Sequence, residues 1–197
     1  MIRTMVLAVL MTASVSVIAA GEAKLTPDLA KAGKTAETLC VACHSADGNS
    51  VIPANPILAG QGADYLYKQL SEFKSVDGKP AVRNNAIMAG MTAALSPDDM
   101  KGLALYFAQQ KQKPAVAVDA KLVAAGQKLW RKGDFDKGIP AQYPRLSGQH
   151  AEYVETQLKN FRSEERSNDP EKVMRTIADK LSDKQIKALA DFTAGLR

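Results

Sequence analysis

The chain has 197 residues, is 46% hydrophobic and 24% charged, and carries a net charge of +5. That balance fits a folded globular protein and excludes a disordered one. The positive excess suits an acidic protein partner or an anionic surface, but it is too weak and too scattered for nucleic-acid binding.

The N-terminus reads MIRTMVLAVLMTASVSVIAAGEAK. Arg3 supplies a positive start, Met5 to Ala20 is an uncharged apolar run, and Gly21-Glu22-Ala23 is a plausible cleavage site. This is the layout of a secretory signal peptide over residues 1–23, and the run is short for a spanning helix. An uncleaved anchor, which would associate the protein with the membrane, is the alternative. The mature chain is expected in the periplasm.

Thr26-Pro27-Asp28 reads as a helix start, with proline in the first turn and an acid near the positive end of the helix dipole. Soon after comes ETLCVACHSADG, which holds both cysteines and one of the two histidines. Export would favour a disulfide, yet Cys40 and Cys43 are too close to close a stabilising loop. Zinc needs four ligands, and beyond Cys40, Cys43 and His44 only His150 remains. A thiol–disulfide enzyme places its pair at a helix start after a strand, and no β-rich run precedes this one. The remaining chemistry is C-x-x-C-H, in which two thiols add to haem vinyl groups and the next histidine binds iron. One helical turn brings both sulfurs to one haem edge.

Further helices are expected over Gln61–Ser75 and from Ser96-Pro97-Asp98-Asp99 onward, with Met100, Leu103, Leu105, Tyr106 and Phe107 forming a buried side. The chain then repeats itself. LAGQGADYLYKQLSEFKS from Leu58 matches LSGQHAEYVETQLKNFRS from Leu146, and the segment from Met88 matches that from Met174. Gly33 and Gly126 open the two copies. The second copy places helices near Asp119–Lys132, Gln149–Ser163 and Ser182–Ala194. Strand patterns are absent, so the fold class is all-α with two tandem domains: residues 24–113 and 114–197, after the signal peptide.

The haem motif after a first helix, the Pro-x-Leu-x-Gly-Gln segment, a late methionine and a terminal helix together resemble a class I cytochrome c. The duplication, with LSGQHAEYV and FRSEERSND, resembles the cytochrome c4 family over essentially the whole mature chain. The resemblance implies thioether attachment of haem c at Cys40 and Cys43, iron ligation by His44, and a Pro56 carbonyl accepting from that histidine's other ring nitrogen. It also implies a close contact of Gly33 with Tyr106. For the sixth ligand, Met88 and Met91 both lie in the expected loop before the terminal helix. Met88 and Met174 each stand eight residues before the serine that starts that helix. The family places its ligand there, so Met88 is chosen. Met91, Met100 and Met174 are read as packing residues.

The second copy departs from the family, whose members usually carry the haem motif in both halves. Between Gly126 and Leu146 there is no cysteine and no histidine. One covalent haem per chain is therefore expected. Pro144 and Met174 remain as matches to Pro56 and Met88, and Trp130, Phe135 and Tyr143 are candidates to fill the space a second haem would occupy. His150 is expected to be a surface or capping residue at a helix start.

The function expected is one-electron transfer, without an enzymatic role. The resemblance implies delivery from a membrane quinol-oxidising cytochrome complex to a terminal oxidase or another periplasmic acceptor. Lys31, Lys34, Lys68, Lys74 and Lys79 are candidates to steer acidic partners. Alternatives are a haem-based gas-binding or sensing module, if Met88 does not coordinate, a thiol oxidoreductase, and a docking role for the second half.

Overall fold

A computed structural model describes residues 27–130 and 142–196. The expected signal peptide and the stretch containing Phe135 lie outside the described residues, and so does the side chain of Trp130. The described residues are helical, and their one β-bridge pairs Val76 with Lys79 across a turn.

Helix α1 (Leu29–Thr35) begins at Asp28, whose carboxylate accepts from the Lys31 N–H at 2.9 Å. The acid is therefore the cap itself, and Pro27 precedes the helix rather than sitting in its first turn. The chain continues through a π-helical turn (Ala36–Cys40) into α2 (Val41–His44). α3 spans Ala63–Phe73 and buries Leu66, Gln69 and Phe73. α5 (Pro97–Ala108) starts with a reciprocal capping box between Ser96 and Asp99 and buries Met100, Leu103 and Phe107. Leu66, Met100, Leu103 and Phe107 form the core of the first lobe together with Ala36, Leu95 and Ala104.

The stretch that carries Met88 is not a loop. It is the short helix α4 (Ala86–Thr92), capped by Asn85, whose side chain accepts from the Met88 N–H at 2.9 Å. Its repeat counterpart is α8 (Val173–Asp179), entered through a 3₁₀ turn (Pro170–Lys172). Both helices are too short for a clear periodic signal, which is why the pattern alone missed them.

The second lobe contains α6 (Ala120–Trp130), α7 (Ala151–Arg162), α8 and α9 (Asp183–Gly195). In each lobe the first helix crosses the last at a glycine. A Cβ on Gly33 would lie 3.3 Å from the Tyr106 ring. At the matching crossing, a Cβ on Gly126 would collide with the Ala188 carbonyl and with Phe192. The Asp191 carboxylate fixes the entry to α6 by accepting from the Val118 and Asp119 N–H groups at 2.9 and 3.0 Å.

The lobes meet through hydrogen bonds that exchange matching residues. Gln61 accepts from the Arg145 N–H at 2.7 Å and donates to the Arg145 carbonyl at 3.0 Å. Its repeat counterpart Gln149 accepts from the Ile57 N–H at 2.8 Å and donates to the Ile57 carbonyl at 3.0 Å. Since Ile57 is the counterpart of Arg145, the two lobes face each other as a symmetric dimer would.

Candidate haem site

Helix geometry brings Cys40, Cys43 and His44 together. The π turn ends at Cys40, α2 supplies Cys43 and His44, and the chain leaves at Ser45 with φ 63° and ψ 156°. A non-glycine residue in that region is strained and needs its surroundings to hold it, and such positions cluster at functional sites. π turns concentrate there too. Gly48, three residues on, has φ +73°, and a Cβ there would press to 2.8 Å from both the Ala59 nitrogen and the Phe107 ring. Glycine is required for the loop to pack against α5.

Cys40 and Cys43 form no disulfide. Cys40 is half-buried against the first-lobe core, and burial, with Cys43 beside it, pushes its pKa up to about 11. Cys43 is exposed. His44 is 8% exposed, and its Nδ1 lies 3.0 Å from the Pro56 carbonyl oxygen. That partner is an acceptor, so Nδ1 carries the proton and Nε2 holds the lone pair. Burial lowers the pKa of the ring, opposed by the bond to Pro56, which favours the neutral imidazole that a metal requires. The Pro56 contact expected from the resemblance is thus present in the fold.

The loop between His44 and Pro56 is tied down at several points. Ser50 Oγ donates to the Cys43 carbonyl at 2.9 Å, and Asn55 Nδ2 reaches the same oxygen at 3.2 Å. Asp47 Oδ1 accepts from the Asn49 N–H at 3.0 Å, and its Oδ2 accepts from Asn49 Nδ2 at 2.9 Å and from Lys113 Nζ at 3.0 Å. Val51, Ile52 and Val41 remain exposed on these segments, as do Ile87 and Met91 on α4. Met88 is half-buried on the same helix, whereas Met100 lies in the core at 3% exposure.

The donor set fits a covalently attached haem. Two thiols lie one turn apart, a neutral histidine offers Nε2 for coordination, and Val41, Val51, Ile52, Ile87 and Met91 are exposed apolar side chains on the motif helix, the loop after it and α4. The matching part of the second lobe offers Pro144, half-buried, and Met174, half-buried on α8, with no thiol or imidazole between Gly126 and Leu146.

His150 has a larger role than a surface cap. It stands at the start of α7, makes no side-chain capping bond, and places Nε2 at 2.8 Å from the Ser50 carbonyl in the other lobe. Nothing in a single sequence gives that pairing. The repeat did offer a clue, because His150 stands where the first copy has Gly62. Arg83 and Arg166, both 8% exposed at the lobe interface, were also not singled out by sequence. Among the candidate steering lysines, Lys31 pairs with Asp99, Lys68 with Glu72, and Lys74 donates to the Leu95 carbonyl, while Lys34 and Lys79 are exposed.

Residues 29–111 match the family described as Cytochrome c. Cytochrome c4 of Pseudomonas aeruginosa is 43% identical over 183 residues, covering 85% of this chain and 88% of that protein. A thiosulfate dehydrogenase electron acceptor of Thiomonas intermedia is 38% identical over 172 residues, covering 79% and 77%. Among solved structures, reduced recombinant cytochrome c4 from Pseudomonas stutzeri superposes with a TM-score of 0.76 at 37% identity, covering 87% of this chain and all of that one. This chain therefore belongs to the cytochrome c4 family of haem c electron carriers, with two tandem class I cytochrome c-like domains.

Proposed function

We propose that this protein is a periplasmic one-electron carrier that holds a single covalent haem c in its first lobe. Cys40 and Cys43 would attach the haem by thioethers, and His44, through Nε2, and Met88 would be the side chains that ligate its iron. When bound, the haem supplies a ferric/ferrous couple whose potential is set by axial ligands, hydrogen bonding and burial. His44 is held in one tautomer and orientation by Pro56. The exposed apolar side chains of α4 and the post-motif loop would help keep water from a bound haem. No bond to a substrate is made, so no catalytic group is assigned.

The observation that carries this reading is the Cys40, Cys43, His44 turn with His44 Nδ1 locked to Pro56, set against a second copy that keeps the matching Pro144 but has no cysteine and no histidine between Gly126 and Leu146. Residues 1–23 act as the export signal, 24–113 as the haem-binding domain and 114–197 as its haemless partner. The carrier runs between a quinol-oxidising membrane complex and a terminal oxidase or another periplasmic acceptor. The relative described as an electron acceptor of thiosulfate dehydrogenase adds that enzyme's chemistry as a donor class. The test is the haem-to-polypeptide ratio of the exported protein, by pyridine haemochrome absorbance and intact mass. One haem is expected; none or two would refute the reading.

A further inference from the structure

The peptide unit joining Pro56 to Ile57 is engaged at both ends. Its carbonyl oxygen accepts from His44 Nδ1 at 3.0 Å, and its N–H donates to Gln149 Oε1, in the other lobe, at 2.8 Å. Gln149 is 5% exposed and Ile57 3%, so water does not compete for this bond. The same glutamine returns a bond from Nε2 to the Ile57 carbonyl at 3.0 Å, and its Oε1 also accepts from the His150 N–H at 3.0 Å. His150 then holds the middle of the loop between His44 and Pro56. Its Nε2 lies 2.8 Å from the Ser50 carbonyl, and Ser50 Oγ donates to the carbonyl of Cys43, next to His44.

We propose that Gln149 and His150 of the second lobe are positioning residues for the proximal histidine of the first: they hold the loop between His44 and Pro56 at its midpoint and at its Pro56–Ile57 end, and polarise the peptide that hydrogen-bonds His44. The inference rests on His44 ligating the iron. An amide whose N–H is donated to a good acceptor becomes a better acceptor at its own oxygen, because the peptide is a resonance-linked unit and hydrogen bonds in series reinforce one another. A stronger bond from Nδ1 makes the imidazole more electron-rich, which favours ferric iron. Removing Gln149 therefore shifts the couple toward the ferrous state.

The repeat supplies the control. Gln61 makes the mirror-image pair of bonds to Arg145, on the peptide that follows Pro144, where no histidine waits at the other end. His150 has no mirror image, since Gly62 stands in its place. The second lobe has lost the means to attach a haem, yet it keeps its hold on the haem site of the first.

The experiment compares the holoprotein with Gln149→Ala, His150→Ala and Gln61→Ala, measuring midpoint potential, unfolding in urea, and exchange of the His44 Nδ1 proton in the ferrous state. Gln149→Ala is expected to move the ferric/ferrous equilibrium toward ferrous by about threefold or more, about 28 mV at about 59 mV per decade for one electron. It should also speed exchange of the His44 proton. Gln61→Ala should lose comparable stability while leaving both readouts in place. Should Gln149→Ala fail to fold, His150→Ala must still speed the Nδ1 exchange. Equal potentials and equal exchange in the Gln149→Ala and Gln61→Ala holoproteins would overturn the inference while leaving the haem site intact. A wild-type protein that carries no haem would remove the reading on which it rests.

Discussion

Gln69 and Gln157, which hold the same position in the two repeats, each accept hydrogen bonds from both Arg83 and Arg166. Arg83 reaches Gln69 at 2.6 Å and Gln157 at 2.8 Å, and Arg166 reaches Gln157 at 2.8 Å and Gln69 at 3.1 Å. Each guanidinium also stacks on an aromatic ring of its own lobe, Arg83 on Phe73 at 4.5 Å and Arg166 on Phe161 at 4.4 Å. Two like charges buried together would be costly unless fully hydrogen-bonded, and the planar, delocalised guanidinium is the cation best suited to it.

Gln157→Leu strips an acceptor from both arginines at once. Leaving buried charged donors short of partners costs about 2–4 kcal/mol. Urea unfolding of the holoprotein should show a loss of that size with an unchanged slope. A loss below about 0.5 kcal/mol, within the range of ordinary surface substitutions, would mean that water reaches the guanidinium groups.

The two glycine crossings should respond unequally. A methyl on Gly126 meets the Ala188 backbone, which cannot turn aside, whereas one on Gly33 meets the side-chain ring of Tyr106 at 3.3 Å. Gly126→Ala should destabilise the second lobe by about 1–3 kcal/mol through overpacking. Gly33→Ala should come out closer to neutral, since alanine regains up to about 1 kcal/mol of helix propensity. Denaturant midpoints of the two variants decide this, and equal losses would contradict the asymmetry.

Asp47 gives a pH dependence of defined sign. Hydrogen bonds from Asn49, and then Lys113, lower its carboxyl from the ordinary 3.8 to about 2. A folded pKa below the unfolded one means that the contribution is complete above pH 3.8 and is lost as pH falls toward 2. The side chain is 41% exposed, so screening limits the effect to about 1 kcal/mol or less. Asp47→Asn should be less stable than wild type near neutrality, and the gap should close in acid. A gap that persists at the acid end of that window would place the contribution elsewhere.

The methionines separate by spectrum and by stability. Met88→Ala should abolish the thioether-to-iron absorption of the ferric protein, and Met91→Ala should retain it. Met100→Ala, in the core at 3% exposure, should keep the band while losing about 2–5 kcal/mol through its cavity. Loss of the band in Met91→Ala alone would transfer the ligand role to that residue.

Legibility followed the range of the interaction. Ser96 and Ser182 announce α5 and α9 because a cap and its partner sit three residues apart, and both capping boxes form. The crossing of Gly33 with Tyr106 was accessible through family resemblance, and the matching crossing of Gly126 with Phe192 follows once the copies are aligned. Helices α4 and α8 escaped because seven residues cannot display a periodicity. Arg83 and His150 escaped for a different reason. A charged residue and a lone imidazole read as solvent-facing until the second lobe covers them.

By itself the sequence determined the chemistry on offer: two thiols and an imidazole within one turn, written once in a chain that otherwise says things twice. Local spacing suffices for that, because covalent attachment depends on residues only a few positions apart. Tertiary structure decided how the second copy meets the first. Gln149 meets Ile57, and His150 meets Ser50, about ninety to a hundred positions earlier in the chain. Such bonds form only where packing excludes water and brings matching polar groups within reach, a condition no stretch of sequence carries on its own.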